Sequence, residues 1–523
     1  LMDGLYNFHV AQNLAQGKGF TVDYIWNFLH QPSEVEGHAS HSYWPPGMSL
    51  LLGIFFYLFG ASLPSGQVLM AIFSTALVLI TYFMGKELFK DDSIALYGAL
   101  FVLLNPVVVY HSSATDAVVP MAVFVNLSLL CLARARKGEF KSIVWAMAFA
   151  SVCPYLRLDG FILPVLVLGY FYWLHRGSKI ASLRNVGILL AIWWLPQLPW
   201  AIRNYQVFAT PFPSNPLTSL LIVSPKEMFQ HGLDPSFASL LEQGISSTIT
   251  FKLSAMGHLL YALVFKQSII LFIFLLYALP RTVFERTHLP FFIYALSLFL
   301  LLPIFFSCHV LESSYLHSIV SLYPFLTCLS MLGFRDLMMN LSTKALRREL
   351  PKLSQYLRTA REAGIHSILL ISLAIFAYKA DPQKGDVAKT FEEIDEFYTL
   401  INDRLEGMAV SRSTCLMADD PFFTFHFCRR PTVILPRNPS ARSLLRTAHR
   451  YDTAYLICIE FAGQESRWNK RRYRFGKMIL KEVRSRSGLK DVVSSPLETS
   501  KQRQIPSLEI TGFKIYEIFW LKG

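Results

Sequence analysis

Long apolar runs occupy the first two thirds of this 523-residue chain and narrow what it can fold into. A run of roughly 20 apolar residues, sometimes as few as 17, crosses a bilayer as a helix. A helix can do so because it satisfies its own backbone donors and acceptors where no water is present. Candidate spans run over residues 67–86, 94–112, 117–133, 142–156, 160–175, 186–202, 256–279, 289–307, 315–333 and 364–379. The segments 142–156 and 160–175 could instead fuse into one helix kinked at Pro154. The expected fold class is a polytopic α-helical membrane protein with about 10 spans.

Charge is scarce and unevenly placed. Only 16% of residues are charged, against about 25% in a soluble chain, and the deficit lies in the apolar part. Residues 380–523 read as ordinary soluble sequence. Residues 391–405 have helical spacing with Glu392, Glu393, Asp395, Glu396 and Asp403, and the runs Thr432–Leu435, Ala454–Ile459 and Phe513–Trp520 read as strands. This predicts a small C-terminal α/β domain.

The net charge of +13 invites a nucleic-acid reading, but the basic residues of the apolar part cluster in short loops. Arg134, Arg136, Lys137 and Lys141 follow one run; Arg176, Lys179 and Arg184 another; Arg281 and Arg286 a third; Arg335, Lys344, Arg347, Arg348, Lys352, Arg358 and Arg361 a fourth. These are alternate connections, as the positive-inside rule requires of cytoplasmic loops, and this parity keeps 142–156 and 160–175 separate. No nucleic acid is expected as a partner. The opposite face then carries residues 1–66, the loop at Asp116, the turn at Arg157 and Asp159, the loop 204–255 and the C-terminal domain. Three parts are predicted: a first extracytoplasmic loop with juxtamembrane helices (1–66), a transmembrane domain (67–379) and an extracytoplasmic α/β domain (380–523). The run Gly47–Gly60, about 14 residues, suits an interfacial helix better than a span, which leaves Asp3 and Asp116 on one face. The basic stretch from Arg467 to Arg486 reads first as a solvated face and second as a grip on an anionic acceptor or headgroup.

Cys131, Cys153, Cys308 and Cys328 lie in apolar context and Cys415, Cys428 and Cys458 in the soluble part. The absence of a Cys-x-x-Cys pair argues against zinc, and an oxidising compartment would allow one disulfide among the last three. The sequence opens at Leu1 with no visible signal peptide, and a preceding segment is expected.

The chemistry-bearing residues lie near the ends of the apolar runs. Asp3-Gly4-Leu5-Tyr6 opens an amphipathic stretch, and Tyr43-Trp44-Pro45-Pro46-Gly47 leads into the short apolar helix. Pro45 and Pro46 remove two backbone donors and fix the approach to that helix, and Trp and Tyr suit the headgroup level. A carboxylate is thus expected at the water–lipid boundary. Thr115-Asp116 opens a span, Tyr155-Leu156-Arg157-Leu158-Asp159-Gly160 makes a turn between two spans, and Pro199-Trp200-Ala201-Ile202-Arg203-Asn204-Tyr205 ends another.

In these motifs, over roughly residues 1–215, the sequence resembles the GT-C glycosyltransferases, and most closely the branch of protein O-mannosyltransferases and lipid A aminoarabinose transferases. The resemblance implies a GT-C-like bundle with a further helix before the first-loop acid. It implies transfer of a monosaccharide from a polyprenyl- or dolichyl-phosphate carrier to a protein, lipid or glycan acceptor on the outer face of a membrane, most simply a prokaryotic plasma membrane. This sequence departs from the pattern in having Gly4 after Asp3 where many members have a second acid. Near Ser314-Tyr315 and Tyr323-Pro324 it also lacks the arginine that relatives often carry.

Cleaving a sugar–phosphate bond leaves negative charge on the lipid phosphate, which aimed cations stabilise, and a carboxylate must take the acceptor's proton. Asp3 is the expected general base, against a helix-cap reading. Asp116 is the second acid, orienting the acceptor or completing a metal site, against a first-turn acid. Arg203 is the favoured phosphate clamp and Arg157 a second, against headgroup snorkelling. Tyr6, Asn204, Pro45 and Pro46 complete the expected substrate-binding set. No cofactor is certain: some branches of the family use a divalent cation, Mg2+ or Mn2+, but a lone Asp3 leans away from one. His38 and His41 with Glu34 and Glu36 could bind a metal, though a polar loop explains them more simply. The alternatives are a transporter or flippase, which should carry ionisable groups near the midplane and repeated broken helices, and a non-catalytic membrane scaffold.

Overall fold

The computed structural model describes residues 2–213, 236–306 and 315–347 with short interruptions, most of 394–461, residues 489–496 and 510–518, and a few isolated positions. The expected span 364–379 and the basic stretch 467–486 lie almost wholly outside the described residues. Two compact units result.

The helical unit comprises residues 43–221 and 240–383. It contains α2 (Gly47–Phe59), α3 (Leu63–Phe89), α4 (Asp92–Leu104), α5 (Pro106–His111), α6 (Val118–Arg134), α7 (Lys141–Leu156), α8 (Ile162–His175) and α9 (Leu183–Phe208), followed by helices Ile245–Phe265, Ile269–Thr282, Leu289–Phe305 and Tyr323–Arg347. Among the described residues, four helical stretches are long and apolar enough to cross a membrane: Leu63–Phe89, Leu158–His175, Leu183–Phe208 and His317–Asn340. Six more apolar helices are shorter, Gly47–Phe59 among them.

Two of the apolar runs are divided between shorter helices, whereas Leu63–Phe89 and Leu183–Phe208 extend beyond their runs. Residues 94–112, expected as one span, break at Asn105-Pro106, where the Asn105 carboxamide accepts the backbone N–H groups of Val107 and Val108. That is an N-cap with proline at the first helical position. Residues 256–279 are likewise shared between two helices. Residues 142–156 and 160–175 are separate, as the parity of the basic loops requires, and do not fuse into one helix kinked at Pro154. Pro154 sits inside α7, and the chain opens at Arg157, which is extended (φ −149°, ψ 150°).

At one end of this unit the charged loop residues meet. Glu87 pairs with Arg134, Asp91 with Arg335 at 2.8 Å and Asp336 with Arg281 at 3.0 Å, and Arg286 donates to the Ala135 carbonyl. Three of the loops that the charge pattern assigned to one side therefore share an end of the bundle, together with the 87–91 connection.

The second unit comprises residues 1–42, 222–239 and 384–523. Its six-stranded sheet runs in the order β2 (Tyr24–Ile25), β5 (Thr432–Ile434), β4 (Cys415–Ala418), β6 (Thr453–Phe461), β8 (Ile510–Ile518), β7 (Leu489–Pro496). The first four strands are parallel and the last two join antiparallel. The apolar runs near 432, 454 and 513 are thus strands, and residues 394–407 are helical. The parallel strands are mostly apolar, as suits strands with helices such as Pro421–Cys428 and Ala441–Arg450 packed beside them. A separate antiparallel pair, β1 (Thr21–Val22) and β3 (His38–Ala39), lies in the N-terminal segment.

The sequence did not reveal that this segment belongs to the sheet. Tyr24 and Ile25 pair in parallel with Thr432 and Val433, and Arg450 donates to the carbonyl and side chain of Gln31. Two adjacent strand residues carry no periodicity that could announce them. Cys415, Cys428 and Cys458 are free buried thiols, so none of the three pairs in a disulfide. Arg430 is fully buried, its guanidinium donating to the carbonyls of Ser411, Cys428 and Val410 and to Asn402.

Candidate functional site

Two of the expected residues, Asp116 and Arg157, come together in the helical unit, at the end opposite Arg134. Asp116 sits between α5 and α6 and is almost wholly buried. Its Oδ2 accepts from His111 Nδ1 at 2.7 Å and its Oδ1 from the Val118 backbone N–H at 3.0 Å. Burial alone would raise the carboxyl pKa, but the His111 charge and hydrogen bond, the nearby His317 and the Val118 N–H outweigh it and hold the group down to about 2. Asp116 is therefore an anion at any physiological pH.

Arg157 stands at the break after α7. Its Nε donates to Asp159 Oδ1 at 2.9 Å, its Nη2 to Ser318 Oγ at 3.3 Å, and its Nη1 lies 3.5 Å from His317 Nδ1. Ser318 in turn donates to Asp159 Oδ2 at 2.5 Å. The His317 ring meets His111 edge to face, with centroids 4.9 Å apart. One buried network thus runs from Asp116 through His111 and His317 to Arg157, Asp159 and Ser318. Asn126 and Tyr294 continue it through Ser321.

Glycines bring the carrying elements together. A Cβ on Gly47 would lie 2.5 Å from the Tyr155 carbonyl oxygen, and one on Gly66 2.7 Å from Thr115 Cγ2. On Gly160 it would strike the Cys153 carbonyl. Pro46 caps α2 directly before Gly47, so the Pro-Pro-Gly motif and the Tyr-Leu-Arg motif touch. The Tyr155 hydroxyl donates to the Pro196 carbonyl on α9, and Gln197 Nε2 to that of Ser151 at 2.9 Å.

Arg203 lies elsewhere on α9. Its guanidinium covers the Trp200 ring at 4.7 Å and the Phe208 ring at 5.2 Å and donates to Asn204 Oδ1 at 3.0 Å. Asn204 is buried and reaches the Pro211 carbonyl.

Asp3 and Tyr6 belong to the other unit, on α1 (Met2–Ala15). Asp3 is half-buried in the first turn, and its carbonyl accepts from Asn7. Tyr6 is buried among Tyr24, Trp26 and His41, and its hydroxyl accepts the His41 backbone N–H at 2.6 Å. On the same helix His9 joins His426 at 2.9 Å and the Tyr24 hydroxyl at 3.2 Å. Glu34 and Glu36 are exposed, and His38 is tied to the Val35 carbonyl. Among the described residues no group of three or more His, Cys, Asp or Glu side chains could hold a metal ion.

Residues 43–200 match the family model described as dolichyl-phosphate-mannose-protein mannosyltransferase. A 158-residue stretch is 28% identical to undecaprenyl phosphate-alpha-4-amino-4-deoxy-L-arabinose arabinosyl transferase 1 of Pseudomonas fluorescens, a match spanning 28% of this chain and 28% of that protein. ArnT from Cupriavidus metallidurans, in its crystal structure bound to undecaprenyl phosphate, superposes with a TM-score of 0.51 at 13% identity, over 98% of this chain and 93% of that one. The chain has the GT-C fold. Its resemblance to the mannosyltransferase and aminoarabinose transferase branch therefore stands on sequence and on architecture. The matched GT-C segment includes Pro45, Pro46, His111, Asp116, Arg157 and Asp159 and ends at Trp200. His111, His317, Asp159 and Ser318 were not among the expected site residues. A histidine at the end of an apolar helix reads as a core residue, and only its spacing of five residues from Asp116 hinted at a pair.

Proposed function

We propose that this protein is a multi-pass membrane glycosyltransferase that moves a monosaccharide from a polyprenyl-phosphate or dolichyl-phosphate carrier to an acceptor on the outer face of a membrane. The buried Asp116–His111–His317–Arg157–Asp159 network carries this reading. Buried ionisable groups are costly to hold, and here they gather at one end of the bundle, with His111, Asp116, Arg157 and Asp159 inside the segment that matches the mannosyltransferase family and His317 outside it. A transporter should keep such groups near the midplane. A scaffold has no need of them.

In this reading Arg157 and Arg203 stabilise charge developing on the departing lipid phosphate, since a guanidinium meets phosphate with paired donors. Asp3 remains the proposed general base on the strength of the resemblance, with Tyr6, Asn204, Pro45 and Pro46 shaping the substrate site. A bound Mg2+ or Mn2+ would add electrophilic assistance at the phosphate, and the lone Asp3 favours catalysis without one. The alternation of the basic loops supports a cytoplasmic face opposite Asp116, and so an outward-facing active end.

The test is to mix purified protein with labelled polyprenyl-phosphate sugars and compare it with the Asp3→Asn variant. Release of lipid phosphate by the parent protein, and its loss in Asp3→Asn at unchanged expression, supports the proposal. An Asp3→Asn variant as active as the parent removes Asp3 from the mechanism.

A further inference from the structure

The two oxygens of Asp116 are each already engaged, one with a side chain and one with a helix N-terminus. Such a carboxylate is poorly placed to act on a substrate itself. We infer that Asp116 is a positioning residue that acts through His111: it fixes the imidazole with its Nδ1–H towards the carboxylate, so that Nε2 of His111 is the atom presented to a hydroxyl or amine of the acceptor. The inference rests on the glycosyltransferase reading and names a residue for it.

The geometry restricts His111 closely. It is the last residue of a six-residue helix that Asn105 and Pro106 start, and its side chain is only 5% exposed. The 2.7 Å bond requires a proton on Nδ1 whenever Asp116 is ionised, because an ionised carboxylate only accepts. In the neutral ring Nε2 is then a lone-pair acceptor. The second ring is constrained as well: a guanidinium donates only, so Arg157 leaves His317 Nδ1 as an acceptor and puts the proton of neutral His317 on Nε2. The held-down pKa of Asp116 agrees with a permanent anion whose work is orientation rather than proton transfer. Such a carboxylate–imidazole pair sets which nitrogen is available.

Substitution separates this role from simple helix capping. Asparagine at 111 can still donate to Asp116 but has nothing where Nε2 was. The full chain, labelled with 13C,15N-histidine and placed in lipid nanodiscs at pH 8, is examined by solid-state NMR, with His111→Asn used to assign the His111 signal. The expected result is a neutral ring protonated on Nδ1, reverting to the Nε2–H form in Asp116→Ala. A ring protonated on Nε2 in the parent protein overturns the inference, whatever the activity.

The second arm follows release of undecaprenyl phosphate from undecaprenyl-phosphate-linked sugars. His111→Asn is expected to lose about tenfold or more in rate, as for a deleted substrate hydrogen bond, while its unfolding temperature stays within roughly 2 °C of the parent. Parent-level release by His111→Asn overturns the inference. No release by the parent protein counts against the glycosyltransferase reading, and the tautomer then decides the pairing by itself.

Discussion

Arg157 and Asp159 form an ion pair at 2.9 Å where one helix stops and the next begins, and the Asp159 side chain is only 4% exposed. The pair holds open the turn that keeps α7 and α8 from continuing as one helix. Ser318 bridges both members and ties the turn to the residues that precede Tyr323.

Neutralising one member of such a pair leaves its partner's buried charge without a counter-charge. Asp159→Asn is expected to destabilise the protein by about 3 kcal/mol, read as a lowered unfolding temperature in detergent. A double variant, Arg157→Met with Asp159→Asn, should recover part of that loss, because no uncompensated charge remains.

Close approach at Gly47 sets a second expectation. A methyl group there would sit 2.5 Å from the Tyr155 carbonyl oxygen, whereas Gly169 on α8 has nothing within 4 Å. Gly47→Ala should cost about 1–3 kcal/mol through overpacking, and Gly169→Ala should be close to neutral. The pair of unfolding curves checks both at once.

His9 and His426 give the second unit a pH dependence of defined sign. Burial first, then the His426 and Arg429 charges, hold His9 well below the usual imidazole range, and burial followed by Arg429 pushes His426 down to about 4. The folded state therefore prefers neutral rings, and the unfolded state takes up protons first. Stability from this pair is fully present above about pH 6.5 and is lost as pH falls towards 4, at up to about 1.4 kcal/mol per pH unit for each ring. Unfolding measured between pH 7 and 4 should show that slope, and His426→Phe should flatten it.

Arg203 gives a sharper test of the proposed phosphate clamp. It stacks on Trp200 and Phe208, and lysine would keep the charge but lose the planar fork. Arg203→Lys should lower lipid-phosphate release about tenfold if Arg203 grips phosphate. Stability should change by no more than about 1 kcal/mol, the scale of an exposed cation–π contact.

Much of this was legible in the sequence, and the parts that were not share a cause. Helix positions followed from apolar runs, and the meeting of Glu87, Asp91, Arg134, Arg281 and Arg335 agrees with loops sorted by charge. Helix ends were harder where a polar residue falls inside a run: Asn105 caps a helix inside what composition presents as one run, whereas the end of the run at Leu156 was legible. Asp116 and Arg157 stood out as charges at span ends. His111 and His317 did not, because their importance lies in contacts 206 residues apart in the chain, between helix ends that no local pattern relates. The placement of Tyr24 and Ile25 in a sheet formed mainly by residues beyond 414 is long-range in the same sense.

The central claim is that the sugar arrives on a lipid phosphate. The most direct measurement offers the nanodisc-embedded protein a mixture of radiolabelled undecaprenyl-phosphate sugars and nucleotide sugars and follows which pool loses its label. Depletion of a lipid-linked pool, with matching free undecaprenyl phosphate and untouched nucleotide sugars, is the predicted result. Depletion of a nucleotide sugar while every lipid-linked pool stays intact would contradict it.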